Sequence, residues 1–582
     1  MHLFGRVVLP ALALLPPAIA DAQERADLIL VNGVIHTMDP QRPSADAMAA
    51  IGGEIIAIGS SSELLASWRG PDTVVIDVGG KAVLPGLIDA HGHVMGLGTA
   101  LRTLDLVGTD SAEEVAAIVA AEAAEREAGE WILGRGWDQN DWEVKEFPTR
   151  ELLDRAAPEN PVFLSRVDGH AVWVNTPALE AAGVTGDTPD PEGGRIERGD
   201  SGEPTGILVD NAEGLVFVAI PEPDHEELAA RLQAAEDAMA AVGLTGVHVM
   251  GADSVDVKLY REWASEGRLK QRLVVYLSDG ATVQWWNEGG AASTAETEKF
   301  LVRGVKFYAD GALGSRGAAL LEPYSDDPGN RGLYVTDPDT LTERVARAVE
   351  HGLQPAIHAI GDAGVRAALE AIEAAVRSSS PPAPCGGTST GRCEAASDLR
   401  PRIEHSQVIA LEDIPRYARS GIIASYQPTH ATSDMYWAED RVGPERIQGA
   451  YAWRRMRETG AHLACGSDFP VESPNPFFGI YAAVTRQDQE GWPEGGWRPE
   501  ERMTREEALA CFTRDAAWAA GMEDEVGTLS VGKRADFIVV DQDPLVAPEE
   551  DLWKIRVLRT VIDGVTVYEA GEGTPDGEPS GR

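Results

Sequence analysis

Residues 82–93 read AVLPGLIDAHGH, a short apolar run that ends in two histidines separated by one glycine. Its length and its Val, Leu and Ile content are typical of a buried β-strand. Because side chains i and i+2 of a strand point to the same side, His91 and His93 can face one common point. Two imidazoles arranged in this way suit Zn²⁺ and related divalent ions. Taken alone the pair is a weak signal, because a lone histidine is more often structural than a ligand.

The chain beyond this strand alternates between apolar runs and helix-like stretches, most of which end in glycine. The further strand-like runs are LTGVHVMG (244–251), RLVVYLS (272–278), VRGVKFYADG (302–311), LQPAIHAIG (353–361), PRIEHSQ (401–407), IIASYQ (422–427) and AHLACGSDFP (461–470). Together with the first strand they number eight. Repeated βα units imply parallel strands, so we predict an α/β fold, a (β/α)8 TIM barrel, in preference to an open doubly wound sheet.

The two ends of the chain differ from this middle, because both consist of short β runs with glycine turns. We therefore predict one small β-sandwich domain built from residues 23–85 and 524–572. The barrel of residues 86–523 would be inserted in it. Residues 102–221 are too long for one crossover and are predicted to form an α+β insertion after strand 1. Residues 573–582 are predicted to be a flexible tail.

In a barrel of this kind, chemistry lies at the carboxyl ends of the strands. Six polar residues follow predicted strands at that position: His91, His93, Lys306, His358, His405 and Asp468. A single histidine there would mean little. Six such groups at strand ends form a specific constellation and predict a metal site.

The composition excludes several classes of protein. Of 582 residues, 43% are hydrophobic and 25% are charged, as in soluble globular proteins. The 50 Lys and Arg against 94 Asp and Glu give a formal net charge of −44, which repels nucleic acid and anionic membranes. After the N-terminus no stretch approaches eighteen unbroken apolar residues, so we expect no stable membrane insertion.

The N-terminus predicts export. Arg6 precedes an apolar run from Val7 to Ile19, and the small-residue patterns AIA and ADA follow it. These features are typical of a secretory signal peptide over residues 1–22. We therefore expect a periplasmic or secreted protein, with an uncleaved apolar segment as the alternative.

Four cysteines are present. Cys385 and Cys393 flank a short glycine-rich loop, which in an exported protein favours a disulfide over two surface thiols. Cys465 and Cys511 lie in apolar runs and are predicted to be buried free thiols.

The strand-end motifs, with VKFYADGALGSRGA around Lys306 and GSDFPV around Asp468, resemble the metal-dependent amidohydrolase superfamily. The branch they are most similar to is amidohydrolase family 3, which includes N-substituted formamide deformylases. The segments GRGWDQNDW and DGHAVWVNTPAL of the insertion are also similar to that branch. The resemblance extends from about residue 27 to residue 571.

This resemblance implies a set of ligands. His91, His93 and Asp468 would bind one metal ion, and His358 and His405 a second. Lys306 stands where the superfamily has a carboxylated lysine that bridges both ions. The implied cofactors are two divalent ions, with Zn²⁺ expected, and a CO₂-derived carbamate on Lys306. Asp468 would also be the catalytic acid and base.

A physical argument supports the carbamate. A free ammonium beside two dications would be repelled, and burial lowers the pKa of a lysine and frees its amine. The alternative is a salt bridge from Lys306 to Asp310 with a single metal ion present.

Other residues are weaker candidates. The candidates for substrate binding are His170, Trp137, Asp138 and Arg316. His170 could instead order its loop, and Arg316 could form a surface ion pair. Trp137, Asp138 and the nearby Trp142 could instead pack within the insertion. His248 is expected to be a satisfied residue of the barrel interior. His430 and the other histidines outside these motifs receive no role.

The sequence is compatible with three functions. The first is hydrolysis of a non-peptide C–N bond in a small amide or N-acyl amine. The second is hydrolysis of dipeptides, esters or lactones at the same site. The third is metal or ligand binding without catalysis, although a retained Asp468 argues against it. The expected partner is a small-molecule substrate, and either a monomer or a homodimer is compatible with the sequence.

Overall fold

The computed structural model describes residues 25–139, 142–166, 171–191, 194–210, 212–282, 297–378 and 399–571. The predicted signal peptide, the predicted tail, His170 and the Cys385–Cys393 loop lie outside the described residues.

Eight parallel strands form the central sheet, in the same order in space as along the chain. They are β1 (Leu87–Gly92), β2 (Leu244–Ala252), β3 (Arg272–Leu277), β4 (Phe300–Tyr308), β5 (Gln354–Ala359), β6 (Arg402–His405), β7 (Ile423–Tyr426) and β8 (Leu463–Cys465). A parallel bridge between Gly92 and Phe469 joins the end of β1 to the chain just after β8. The sheet is therefore a (β/α)8 barrel, as predicted.

Helices cover the outside of the barrel and surround its mouth. The helices of the barrel region are Val94–Leu101, His225–Ala241, Ser254–Ser265, Pro338–Glu350, Asp362–Ser378, Ile414–Ser420, Pro428–Asp434, Ala438–Arg446, Trp453–Glu458, Pro476–Thr485, Arg505–Cys511 and Arg514–Ala520, with 3-10 turns at Ile447–Gly449 and Pro499–Glu501. Several begin where an aspartate caps the first turn: Asp224 accepts the backbone N–H of Glu227, and Asp253 that of Asp256. The main hydrophobic core lies between these helices and the strands.

Two sheets are built from the ends of the chain, the first from N-terminal strands alone and the second from both ends. One has the order Glu54–Gly59, Ala47–Ile51, Leu28–Val31, Val74–Asp77. The other has the order Val565–Glu569, Val557–Ile562, Phe537–Val540, Ala82–Pro85, Val34–His36, Ser44–Ala45. In this second sheet three C-terminal strands continue into three N-terminal strands with no break, since Val83 pairs with both Ile35 and Val539. A helix at Ser61–Trp68 and a 3-10 turn at Glu549–Lys554 complete the region.

The insertion after β1 has its own sheet and core. The strand order is Gly194–Arg198, Pro204–Asp210, Ala171–Val174, Val162–Arg166, Ile132–Trp137, Leu104–Asp105. The helices are Ala112–Ala123, Arg150–Ala156, Thr176–Ala182 and Gly214–Phe217. Separate hydrophobic clusters lie on its two faces.

The prediction of two free thiols is wrong. Cys465 and Cys511 form a disulfide that links β8 to helix Arg505–Cys511, with a sequence separation of 46. Both residues are fully buried, as their apolar neighbours indicated. The pairing arises because this helix packs behind β8, which brings the two Cα atoms to 5.2 Å.

Throughout the part of the chain that the structure describes, no helix has the length and apolarity needed to cross a membrane.

Candidate metal centre

His91 and His93 end β1 with both imidazoles held by hydrogen bonds at Nδ1. His91 is fully buried, and its Nδ1 lies 2.6 Å from Oε2 of Glu404. Nδ1 of His93 lies 2.9 Å from the carbonyl oxygen of Met250 on β2. Because a carboxylate and a carbonyl only accept, Nδ1 must carry the proton in both rings. Each Nε2 therefore presents a lone pair.

The carboxylate of Asp468 lies close to both of these Nε2 atoms. It follows β8 in the left-handed region, with φ of 63°, and its backbone N–H donates to the carbonyl of His91 at 2.7 Å. Its Oδ1 lies 2.9 Å from Nε2 of His93 and 3.4 Å from Nε2 of His91. Three electron-pair donors converging in this way require a cation or a proton among them. The donor set fits a divalent metal ion.

The remaining three candidates lie beside this group. Nδ1 of His405 donates to Oε1 of Gln427 at 2.8 Å, and its ring centroid is 4.8 Å from that of His91. The ring of His358 is 4.5 Å from that of His405. Nζ of Lys306 lies 3.2 Å from Nε2 of His91. One ligand atom each from His91, His405 and Asp468 lies within 4.8 Å of the other two. The fold thus brings all six predicted residues to one place.

The protonation states suit metal binding, which needs neutral imidazoles and an anionic carboxylate. Burial lowers the pKa of His91 to about 4 and that of His358 to about 3. Burial likewise lowers the pKa of Lys306 to about 8. Burial alone would raise the pKa of Asp468, but the neighbouring His91 and His93 outweigh it and hold that pKa well below its usual range.

A buried ion pair orients His91 from behind. Glu404 and Arg402, both fully buried on β6, pair through two hydrogen bonds, one of them 3.0 Å from Nη2 to Oε2. Arg402 also donates to the carbonyl of Ala90 and to Ser425 Oγ, both at 2.7 Å. Burial acts to raise the pKa of Glu404, but Arg402 and His91 hold it well below the usual range. Neither residue was predicted from the sequence, although both stand in the same motif as His405.

His248 lies deeper in the barrel, as expected. Its Nδ1 accepts from Nη1 of Arg402 at 2.8 Å. Only this nitrogen has the hydrogen bond that was expected of the ring, since Nε2 is buried with no hydrogen-bond partner among the described residues.

The join between β1 and β8 is tight and depends on Asp89. Its carboxylate accepts from the backbone N–H of His91 at 2.9 Å and from Ser467 Oγ at 2.7 Å. Burial raises the pKa of Asp89 to about 7. A Cβ at Gly92, between the two histidines, would lie 2.5 Å from the ring of Phe469, so only glycine fits there. Asp89 thereby fixes Asp468 relative to the histidines.

Asp310 has a structural role. Its carboxylate accepts backbone N–H groups of Ile360, Gly361 and Ala319 at 2.8–3.0 Å, which ties the loop after β4 to the end of β5. The described contacts of Lys306 include no ion pair with Asp310. The salt-bridge alternative for Lys306 therefore finds no support in the geometry.

The described contacts of the weaker candidates lie away from the centre. Trp137 is buried in the core of the insertion and donates to the carbonyl of Leu164 at 2.8 Å; Trp142 packs in the same cluster. Asp138 pairs with Arg166 at 2.9 Å. Arg316 pairs with Asp326 at 2.8 Å near the surface.

One neighbour of the centre went unpredicted. His430, in helix Pro428–Asp434 after β7, has its Nε2 3.8 Å from Oδ2 of Asp468. The signal was present in the sequence, because His430 follows the strand-like run IIASYQ by only three residues.

The chain is similar in sequence to known proteins over most of its length. The sequence model described as "Amidohydrolase family" matches residues 74–568. The protein YtcJ of Bacillus subtilis is 34% identical over 545 residues, which are 92% of this chain and 98% of YtcJ. The N-substituted formamide deformylase of Arthrobacter pascens is 30% identical over 560 residues, 93% of this chain and 98% of that enzyme.

A solved structure agrees in fold. The crystal structure of an uncharacterised metal-dependent hydrolase from Pyrococcus furiosus superposes with a TM-score of 0.73 at 29% identity. The match covers 89% of this chain and 99% of that one.

Proposed function

This chain belongs to the amidohydrolase family, and on that premise we propose that it hydrolyses the C–N bond of a small amide or N-acyl amine, N-formyl amines included. The observation that carries the proposal is the convergence of the Nε2 lone pairs of His91 and His93 on Oδ1 of Asp468. The similarity to the formamide deformylase of Arthrobacter pascens supports the choice of bond.

We assign two divalent ions, zinc in the first instance, to the six residues. His91, His93 and Asp468 would hold one ion, and His358 and His405 the other, with Lys306 as a carbamate between them. When bound, such ions activate water for attack and polarise a carbonyl.

The carbamate at Lys306 is supported by its burial. A pKa of about 8 leaves roughly a tenth of the amine neutral at pH 7, enough to react. The amine nitrogen bonds to the carbon of CO₂, one proton is released, and the side chain becomes an anion. An anion is the charge that suits a position beside two cations.

Asp468 performs the proton transfer. Its low pKa keeps it a carboxylate at neutral pH, able to take a proton from the attacking water. The same proton then passes to the leaving nitrogen, so that the C–N bond breaks and a neutral amine departs. The join to His91 and the contact with Asp89 through Ser467 hold the carboxylate in place for both steps.

The charges around the mouth favour a substrate without a free carboxylate. In the loop after β4, Arg316 pairs with Asp326 and Arg331 with Glu322, and in the segment after β7 Arg441 pairs with the same Asp326. The arginines after β8 donate to backbone carbonyls: Arg486, Arg498 and Arg502. Each of these guanidinium groups has at least one described partner, although Nη2 of Arg486 has none of its own, and a neutral amide therefore suits the site better than a dipeptide.

We also propose export to an oxidising compartment, on the pattern of residues 1–22. The disulfide between Cys465 and Cys511 supports it, since such bonds persist mainly outside the cytosol. Sequencing the N-terminus of the protein recovered from the periplasm tests this; an intact N-terminus in the cytosol would contradict it.

The first experiment measures metal per chain by elemental analysis of protein purified without chelator. About two equivalents support the paired site, and about one supports a mononuclear centre with Lys306 as a free amine. The next step is a panel of N-formyl and N-acyl amines, with dipeptides, esters and lactones as comparison. Turnover of amides that a chelator abolishes supports the proposal. Chelator-insensitive turnover, or metal binding with no turnover of any amide, contradicts it.

A further inference from the structure

The segment Gln427–His430, which follows β7, carries an unusual group of polar atoms. Nε2 of Gln427, Oγ1 of Thr429 and Nε2 of His430 are all buried without a hydrogen-bond partner among the described residues. Buried polar groups in native proteins are nearly always paired, so three such atoms within four residues need an explanation. A bound molecule that supplies the missing partners is the simplest one.

His430 is the member of this segment that faces the metal centre. Its Nε2 lies 3.8 Å from Oδ2 of Asp468, whereas the histidines of β1 face Oδ1. Its ring is stacked on that of His405, with centroids 6.0 Å apart and an interplanar angle of 16°. His430 therefore borders the centre on the side of the second carboxylate oxygen.

The electrostatics indicate which tautomer His430 adopts. A carboxylate oxygen only accepts, so an Nε2 that faces Asp468 is favoured as N–H. At 3.8 Å the pair is too long for a hydrogen bond, and the N–H is left without an acceptor.

We propose that His430 is a catalytic residue that donates a hydrogen bond from Nε2–H to the acyl oxygen of the substrate. This inference rests on the proposed function. Negative charge develops on that oxygen as water attacks the carbonyl carbon, and a fixed donor in a buried site stabilises such charge strongly. Gln427 links this segment to the centre, because its Oε1 accepts from His405 while its buried amide nitrogen has no partner among the described residues.

A role for His430 as an additional metal ligand is the competing explanation. With its proton on Nε2, His430 has no lone pair on the nitrogen that faces Asp468, so that nitrogen is not available to a metal ion. The geometry therefore favours a contact with substrate, and the metal content of a variant separates the two roles.

The test compares His430→Leu, which removes the donor, with His430→Gln, which keeps an N–H group. His225→Leu is the matched control, because His225 lies on the surface with a side chain 64% exposed. We measure metal per chain, kcat and KM on the zinc-loaded full-length enzyme with an N-formyl amine. His430→Leu is expected to lower kcat about 10²- to 10³-fold, the loss typical of one such donor. KM and metal content should stay unchanged, His430→Gln should recover part of the loss, and His225→Leu should match wild type.

Several outcomes would overturn the proposal. An unchanged kcat in His430→Leu excludes a catalytic contact. Loss of metal from that variant makes His430 a ligand instead. A rise in KM with kcat unchanged indicates ground-state binding only. A folded, metal-loaded His430→Gln that recovers no activity excludes the hydrogen bond.

A wild-type enzyme that hydrolyses no amide would contradict the proposed function, and a second measurement then decides on His430. Acetohydroxamate presents an acyl oxygen to a zinc site, and calorimetry reports its binding without turnover. Its affinity is expected to fall roughly tenfold in His430→Leu, as for one lost hydrogen bond. Equal affinity in the two proteins, or no binding to wild type, overturns the proposal.

Discussion

At the scale of single residues, the centre depends on partners that set the tautomers of its histidines. Glu404, the carbonyl of Met250 and Gln427 each accept from an Nδ1–H, so the opposite nitrogens of His91, His93 and His405 keep their lone pairs. Such partners fix ring orientation and raise the basicity of a ligand. Of the three, Glu404 is the only charged one.

Glu404→Gln should weaken metal binding. The change removes the negative charge behind His91 and allows an amide N–H to face Nδ1, which disfavours the required tautomer. We expect the affinity for one of the two ions to fall about 10- to 100-fold, as measured by competition with a chromogenic chelator. Glu373→Gln, which alters the Glu373–Arg416 pair elsewhere, is the control. Equal affinities in all three proteins would contradict the role of Glu404.

Asp468→Asn should fold normally and lose most turnover. Asparagine is among the few residues that tolerate a φ of 63°, so the backbone at this position is kept. The amide cannot accept the proton of water, and general-base losses of about 10²- to 10⁴-fold are typical. Steady-state rates and thermal melting of the two proteins test this. A variant that keeps more than about a tenth of the wild-type rate would refute the assignment.

At the scale of elements, the disulfide joins β8 to the helix behind it and closes a loop of 46 residues, which begins just before Asp468 and contains it. Cross-linking a loop of that length restricts the unfolded chain, worth about 4 kcal/mol in the chain-entropy account. Cys465→Ala with Cys511→Ala should therefore lower the free energy of unfolding by about 2–5 kcal/mol. Urea unfolding measures the change. Reduced, unfolded wild type that refolds to full stability in reductant would contradict it.

Helix His225–Ala241 carries a buried carboxylate whose titration should affect stability. Burial raises the pKa of Glu236 to about 7 from 4.5, although its Oε1 accepts from the backbone N–H of Lys270 at 2.7 Å. Since the folded state binds this proton more tightly than the unfolded state, stability falls as pH rises from about 4.5 to 7.

Glu236→Gln removes this dependence and keeps an acceptor for Lys270. At pH 8 the variant should be more stable than wild type by about 3 kcal/mol, and near pH 4 the two should be equal. Urea unfolding across this pH range provides the measurement, with the exposed Glu226→Gln as control. A constant difference between the two proteins at all pH values would refute the raised pKa.

At the scale of the whole molecule, buried ion pairs join the barrel to the sheets formed by the chain ends. Arg272 on β3 binds Asp536 at 2.8 and 3.1 Å and also pairs with Asp563. These local attractions act against a formal net charge of −44, which disfavours any compact state through self-repulsion.

Added salt should therefore stabilise the protein. Raising NaCl from about 0.05 to 0.5 M shortens the screening length to a few ångströms and weakens the repulsion. We expect the melting temperature, measured by calorimetry, to rise by a few degrees. NaCl is used and not sodium sulfate, because sulfate also stabilises proteins by exclusion from their surface. A falling melting temperature would mean that the attractive pairs dominate.

Much of the fold followed from local pattern. Apolar runs at regular spacing predicted eight parallel strands, and the position after each run predicted the six residues of the centre, because the ends of parallel strands meet at one edge. His430 fitted the same rule and was overlooked, since the strand-like run before it ends in Gln427 and the histidine comes three residues later.

Local pattern was enough to predict the fold class and the six residues that converge, because periodicity and strand ends are local properties, while the family was indicated by the resemblance of the motifs around them. Only the tertiary structure shows which side chains pair with which. Glu404 reaches His91 across 313 residues, Asp310 turns to backbone N–H groups and away from Lys306, and Cys465 finds Cys511. Such contacts depend on which strands and helices lie side by side around the barrel. Closure of the sheet between Gly92 and Phe469 brings the first and last strands together.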